Sequence, residues 1–338
     1  MTSGHGDDKY LYNNISHNFS HNLLCTPLLD DLYDFLRGRM AEIASYPEPD
    51  ARSLRKAIAR KEQVGEDNIL VTAGATAAIY LVAETMGAGT VATIVTPTFS
   101  EYGWACQTAG IATEYVARDK WREKVGKGRR LCWLCNPNNP DGYVYKREEL
   151  LQTIGDNPDT LFVVDMAYTR QTLQPTPSAQ EMASYDNAIA LCSMTKQYCI
   201  PGLRIGYVVA CPATISRLAT RMQPWSVSSL AIEAGKYLTA NGITFGMSIE
   251  EQLSAARRLR EDISATEGYH ALPSQTNFFL VRMEAGASPT LKEWLAKNHG
   301  ILIREASNFR GLDARYFRLS AQTPKENAML VEALRQYK

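Results

Sequence analysis

Short apolar runs alternate with helix-like patterns through the middle of this chain. Residues 68–72, 90–95, 130–134, 161–164, 188–192 and 205–210 are rich in β-branched and aliphatic side chains and are bounded by turn residues. Several are continuously apolar, as strands buried on both faces of a mostly parallel sheet should be. Residues 76–86 carry a helical pattern between the first two runs. This alternation predicts an α/β layer over about residues 46–222. The pattern then changes. Residues 228–240 and the longer 244–267, studded with Glu and Arg, read as helices. Strands follow at 278–281, 301–304 and 316–319, interleaved with helices at 289–297 and 324–336. The expected division is an arm with a short helix at 28–37 and part of a small domain (1–45), a large α/β domain (46–240) and a small α+β domain (241–338).

Composition changes this picture little. The chain has 338 residues, enough for about two domains, with 45% hydrophobic and 21% charged residues and a formal net charge of +0. The densest basic cluster, 124–130, is short and broken by glycine, so it reads as a solvated loop and not a nucleic-acid surface. No apolar stretch approaches the ~20 residues that span a membrane. The polar, acidic start of the chain is unlike a secretory signal, and a cytoplasmic location is expected. Seven cysteines, lying mostly in apolar runs, suit a reducing compartment. Cys132-Trp-Leu-Cys135 has redox spacing but sits inside a predicted strand, so these are expected to be core thiols.

The chemistry concentrates at the ends of the apolar runs, where open α/β sheets bind ligands. The run 188–192 stops at Ser193, Lys196 follows in the next turn, and Pro201-Gly-Leu-Arg204-Ile-Gly-Tyr207 turns the backbone back. Ser193 and Arg204 can hold a phosphate, and Lys196 can form a Schiff base with a carbonyl beside it. Pyridoxal 5′-phosphate demands that set. The stretch resembles the lysine signature of the fold-type I aminotransferase superfamily. That resemblance implies the PLP-dependent transferase fold: a mostly parallel seven-stranded sheet flanked by helices, with a smaller α+β domain.

Other strand ends extend the match. Gly74-Ala75-Thr76 opens a helix whose N–H groups, with the Thr76 hydroxyl, suit a phosphate, although a glycine turn alone is more often punctuation. The turn 136–142, Asn-Pro-Asn-Asn-Pro-Asp-Gly, is similar to the superfamily's Asn-Pro-x-Asn-Pro-Thr/Ser-Gly, with Asp141 in place of the hydroxyl residue. The resemblance assigns Asn139 and Tyr168 to the cofactor's phenolic oxygen. Asp165 ends a buried strand and needs a partner; a protonated pyridine nitrogen would serve and make the ring an electron sink. Phe99, with Tyr102 as second choice, would stack on the ring. Tyr46 matches the tyrosine that in relatives reaches the cofactor phosphate of the neighbouring subunit, which implies a homodimer with shared sites. No metal is implied.

Three segments narrow the resemblance: 223–227, 301–318, and His5-Gly-Asp-Asp8. Together they are similar to the threonine-phosphate decarboxylase family, whose product serves cobalamin biosynthesis. The histidinol-phosphate aminotransferases are close cousins, sharing the Ile-Leu-x-Arg and lysine motifs. The implied reaction is PLP-dependent decarboxylation of L-threonine O-3-phosphate to (R)-1-amino-2-propanol phosphate, via the Schiff base on Lys196. The alternative is transamination of the histidinol-phosphate type, since the same cofactor residues serve both. Arg318 would bind the substrate carboxylate and Arg304 its phosphate, helped by His5 and Asn22 of the arm. Two departures fall in that arm: the family's His-Gly-Gly is one glycine short, and Leu23-Leu24 replaces its Asn-Pro. A ligand-sensing regulator on this fold is the non-enzymatic alternative, and no helix-turn-helix-sized segment precedes the fold to support it.

Overall fold

A computed structural model of the chain describes residues 6–125, 128 and 130–337. Seven strands form the larger sheet: β1 (Ile69–Thr72), β2 (Val91–Thr96), β3 (Ala112–Ala117), β4 (Arg130–Cys135), β5 (Thr160–Asp165), β6 (Ala188–Ser193) and β7 (Gly206–Ala210). Their order is β1-β7-β6-β5-β4-β2-β3. Strands β2 to β6 run parallel, while β7 is antiparallel to both β1 and β6. The reversal follows from the link between β6 and β7. It holds only the helix Met194–Gln197 and the turn Pro201–Leu203, not a long crossover helix. The chain therefore leaves and re-enters at the same end of two adjacent strands, and Ser193 pairs with Gly206 while Gly206 pairs with Thr72.

The apolar runs are buried for the reason the pattern suggests. Alternate residues of β4 and β5 feed opposite cores: Leu134, Phe162 and Val164 on one face, Leu131, Trp133 and Val163 on the other. All seven cysteines are buried free thiols, with Cys132 and Cys135 inside β4. Strand β3 was not visible as an apolar run because it is an edge strand with every residue at least partly exposed.

The smaller sheet is antiparallel, in the order β8-β9-β11-β10, with β8 (Tyr269–Ala271), β9 (Phe278–Met283), β10 (Arg304–Glu305) and β11 (Tyr316–Ser320). Helices Ile249–Ser264, Ser288–His299 and Pro324–Gln336 cover it around Phe279, Val281, Leu291 and Leu330. Two expectations need correction. The helix expected at 244–267 begins only after Ser248, whose hydroxyl accepts from the Glu251 N–H while the Glu251 carboxylate accepts from the Ser248 N–H. Residues Thr244–Phe245 pair instead with Pro27–Leu28. The strand expected at 301–304 is split. Ile301–Leu302 pairs in parallel with His17–Asn18, and only Arg304–Glu305 joins the sheet. That split threads residues 17–23 along the small sheet towards the large one, where the Asn277 side chain donates to the Leu23 carbonyl at 2.9 Å. Among the described residues no helix is long and apolar enough to cross a membrane.

Candidate active site

A cavity of about 360 Å³ opens at the carboxyl ends of β4, β5 and β6 and is closed on one side by the arm. Lys196 lies on its wall, one turn past β6. Burial first, and then the nearby Arg318 charge, hold its amine down at about 8. An amine near that value is partly neutral, and so nucleophilic, at physiological pH. Its Nζ stands 5.9 Å from the centre of the Tyr168 ring.

One end of the cavity is built for an oxyanion. Gly74 has φ +86° and precedes the helix Ala75–Met86, whose first N–H groups have no side-chain cap. A Cβ on Gly74 would lie 2.7 Å from Arg204 Nη2, and one on Gly206 would lie 2.6 Å from the Ala75 nitrogen and 2.9 Å from the Cys192 carbonyl. Both glycines are therefore what lets β7, the Gly74 turn and the Arg204 head close together. Arg204 itself sits at φ 55°, with Nη1 donating to the Pro201 carbonyl at 3.2 Å and to Thr195 Oγ1 at 3.4 Å. Ala75, Thr76, Ser193, Thr195 and Arg204 all line this end. Thr195 was missed as a site residue, although it stands inside the Ser193–Lys196 motif.

The opposite wall holds a carboxylate. Asp165 is buried; its Oδ2 accepts from the Tyr102 hydroxyl at 2.7 Å and its Oδ1 from the Ala167 N–H at 3.0 Å. Burial raises its carboxyl above the ordinary value, and those two hydrogen bonds oppose the rise. Tyr102, the second choice for the stacking ring, also lines the cavity. It is fully buried, lies flat on Trp133 at 5.1 Å, and serves Asp165. Phe99 lines the cavity and meets Tyr102 edge-on at 5.8 Å.

Asn139 and Tyr168 both reach the cavity. Asn139 Oδ1 accepts from Arg318 and from Asn22 Nδ2, the latter at 3.3 Å, which leaves the Asn139 NH2 as the group available to a ligand. The turn carrying it is tightly held. Asn138 accepts from Thr98 Oγ1 at 2.9 Å and donates to the Pro97 carbonyl at 2.9 Å and to Asp141 at 2.8 Å. Asp141 also pairs with Arg118, whose guanidinium lies 4.1 Å from the centre of the Tyr143 ring. The departure at Asp141 thus has a structural account: a carboxylate ties the Asn139 turn to the end of β3.

Two arginines mark the arm side. Arg304 and Arg318 are register partners on β10 and β11, both buried. Arg318 lines the cavity; its Nη2 donates to the Ser20 carbonyl at 2.6 Å, and its Nε is buried without a partner. Arg304 does not line it. Its Nη2 donates to Asn308 Oδ1 at 2.8 Å and its Nη1 to the Glu305 carbonyl. Burial draws Arg318 down to about 9 and Arg304 to about 10. From the arm, Asn22 lines the cavity, joined by Gly6, Asp7 and His21, which sequence reasoning did not single out. Asp7 is fixed by its N–H to Ser20 Oγ at 3.0 Å and by Asn18 Nδ2 at 2.6 Å, and the next residue, Asp8, forms a largely buried ion pair with Lys292. His5 lies outside the described residues. Tyr46 is 87% exposed, rests 5.6 Å from the Trp225 ring and does not line this cavity.

The donor set fits pyridoxal 5′-phosphate: an uncapped helix N-terminus with Arg204 for the phosphate, Lys196 for the aldehyde, Asp165 for the ring nitrogen, and Asn139 and Tyr168 for the phenolic oxygen. Comparison with known proteins agrees. The profile of "Aminotransferase class I and II" matches residues 14–334. Threonine-phosphate decarboxylase of Salmonella typhimurium is 31% identical over 306 residues, 87% of this chain and 83% of that protein. Histidinol-phosphate aminotransferase of Symbiobacterium thermophilum is 29% identical over 88% of this chain and 84% of its own. Among solved structures, L-threonine-O-3-phosphate decarboxylase from Porphyromonas gingivalis superposes with a TM-score of 0.90 at 35% identity, covering 95% of this chain and 98% of that one. Histidinol-phosphate aminotransferase from Sinorhizobium meliloti, in complex with pyridoxal-5′-phosphate, shares the fold with a TM-score of 0.80 at 20% identity, over 96% of this chain and 91% of that one. The cavity and its lysine therefore sit on a known scaffold, and the chain belongs to the class I and II aminotransferase family.

Proposed function

We propose that this protein is a PLP-dependent carboxy-lyase that converts L-threonine O-3-phosphate to (R)-1-amino-2-propanol phosphate, a step of cobalamin biosynthesis. The observation that carries the reading is the buried Arg318 on the arm side of the cavity, with the buried Arg304 as its register partner on β10. A substrate bearing both a carboxylate and a phosphate calls for two such groups. The decarboxylase relatives at 31% and 35% identity point the same way.

When bound, the cofactor supplies an aldehyde for Lys196 and a ring that accepts the electron pair released as carbon dioxide leaves. The Gly74–Thr76 turn, Ser193 and Arg204 would hold its phosphate, and Phe99 would offer an aromatic surface to its ring. Asp165, fixed by Tyr102, keeps a proton on the pyridine nitrogen. Asn139 and Tyr168 orient the phenolic oxygen. Arg318 binds the substrate carboxylate; Arg304, behind the cavity wall, would reach the substrate phosphate only by leaving Asn308 and the Glu305 carbonyl. Lys196, with an amine near 8, can deliver the proton that Cα needs once the C–C bond has broken. Gly6 and Asp7 of the arm line the cavity.

We also read residues 46–240 as the cofactor-binding domain, with 241–338 and the arm as the small domain. The exposed side chains of Met40, Ile43, Tyr46 and Trp225 support a homodimer in which Tyr46 reaches the neighbouring cradle. Seven free thiols suit the cytoplasm.

The test is incubation of the holoenzyme with threonine phosphate. Carbon dioxide release without accumulation of pyridoxamine phosphate is expected. Clean conversion to pyridoxamine phosphate by glutamate would instead establish an aminotransferase of the histidinol-phosphate type.

A further inference from the structure

His21 stands on the cavity wall with Lys196, Arg318 and Asp7. Its neighbours are committed to the fold: the Ser20 carbonyl accepts from Arg318, and Asn22 donates to Asn139. His21 is different. Its Nδ1 is buried and meets no hydrogen-bond partner in any other residue. Arg318 carries a second such atom, the buried Nε. Native structures rarely leave buried polar nitrogens unmet unless water or a ligand satisfies them. Here two belong to side chains lining one cavity beside the reactive lysine, an arrangement suited to a planar, two-oxygen anion.

We propose that His21 is a substrate-contacting, specificity-determining residue whose Nδ1–H joins the Arg318 guanidinium in holding the α-carboxylate of the substrate. The inference rests on the decarboxylase reading above. Burial, with the charges of Lys196 and Arg318, draws the imidazole down to about 4 despite the opposing carboxylate of Asp7 and a hydrogen bond to its own backbone. The ring is therefore neutral at pH 7 and has one N–H to place on Nδ1. A neutral donor orients the carboxylate without adding a second full positive charge. A second charge would stabilise the ground state more than the departing, uncharged carbon dioxide.

The test compares threonine phosphate with its decarboxylated counterpart, 1-amino-2-propanol phosphate, which lacks the carboxylate. In His21→Ala the KM for threonine phosphate is expected to rise about tenfold, the loss of roughly one hydrogen bond. The inhibition constant of the amine and the position of the cofactor's visible band should stay at wild-type values. His21→Asn, which keeps an N–H donor, should recover part of the KM. Equal weakening of both ligands would show a merely structural role and overturn the proposal, as would no change in either. If wild-type holoenzyme released no carbon dioxide from threonine phosphate, the functional reading would fail on its own. The two compounds would then be non-reacting ligands, and their dissociation constants, read from the visible band, would still decide the role of His21.

Discussion

Replacing Lys196 by methionine should make the apoprotein more stable while destroying its chemistry. The amine is drawn from 10.5 to about 8, by burial first and then by Arg318. At about 1.4 kcal/mol for each tenfold change in proton affinity, this corresponds to roughly 2–3 kcal/mol of destabilisation, after allowing for the part of the stem left wet. The sign follows from linkage. Below about pH 8 the lysine is charged in both the folded and the unfolded chain, and the full cost is present. Between about 8 and 10.5 the folded form has released its proton while the unfolded form still holds one, so stability rises with pH. Above 10.5 both are neutral and the cost is gone. Methionine keeps the length of the stem and removes the charge. Urea denaturation of the two apoproteins at pH 7 should place Lys196→Met higher by roughly 2–3 kcal/mol, and the gap should shrink steadily towards pH 10.5. A gap independent of pH, or a variant less stable at pH 7, would refute the assignment of a buried, charge-strained amine.

Other outcomes follow from the same geometry. Gly206→Ala places a methyl group 2.6–2.9 Å from backbone atoms of Ala75, Gly74 and Cys192, none of which can yield as a side chain would. Overpacking of about 1–3 kcal/mol should open the phosphate cradle, so equilibrium dialysis is expected to show cofactor affinity falling by about tenfold or more; unaltered affinity would argue against this cradle. Tyr102→Phe removes the hydroxyl that donates to Asp165 while leaving the ring on Trp133. A hydrogen bond to a charged group is worth about 1.5–3 kcal/mol, so carboxyl-carbon NMR of the apoprotein should show Asp165 titrating roughly 1–2 pH units higher. An unmoved titration would mean that the hydroxyl does not hold the carboxylate. Asp141→Ala frees Asn138 and Arg118 together; cofactor affinity should drop about three- to tenfold, with Asp141→Thr nearer wild type, and equal behaviour of the two variants would deny the turn-holding role.

The cofactor end of the site was legible because its signals are local. Lys196, Ser193 and Arg204 fall within one connection between adjacent strands, and Asp165, Asn139 and Thr76 each follow directly on a buried apolar run. Where a buried strand ends in an open α/β sheet, its next polar residue has only one place to go. The helix Pro324–Gln336 has the expected bounds, and Thr323 caps it locally. What escaped depends on register and on distant partners. Strand β3 is a half-exposed edge that carries no apolar run. The contacts of Tyr102 with Trp133, on β4, and Asp165, on β5, could not be read from spacing. They are set by strand order, which spacing does not encode.

The substrate end shows the same boundary most clearly. Sequence alone determined which residues could do chemistry there, because an arginine or a histidine brings the same donors wherever it lies. Only the tertiary structure decided that Arg304 and Arg318 face each other across β10 and β11, that Arg318 and not Arg304 lines the cavity, and that the arm brings His21 in beside Lys196. The arm meets Arg318 across 298 positions, at the Ser20 carbonyl, and the geometry is set by β-register and by burial of Phe19 in the small core. A pattern read along the chain holds no term for either.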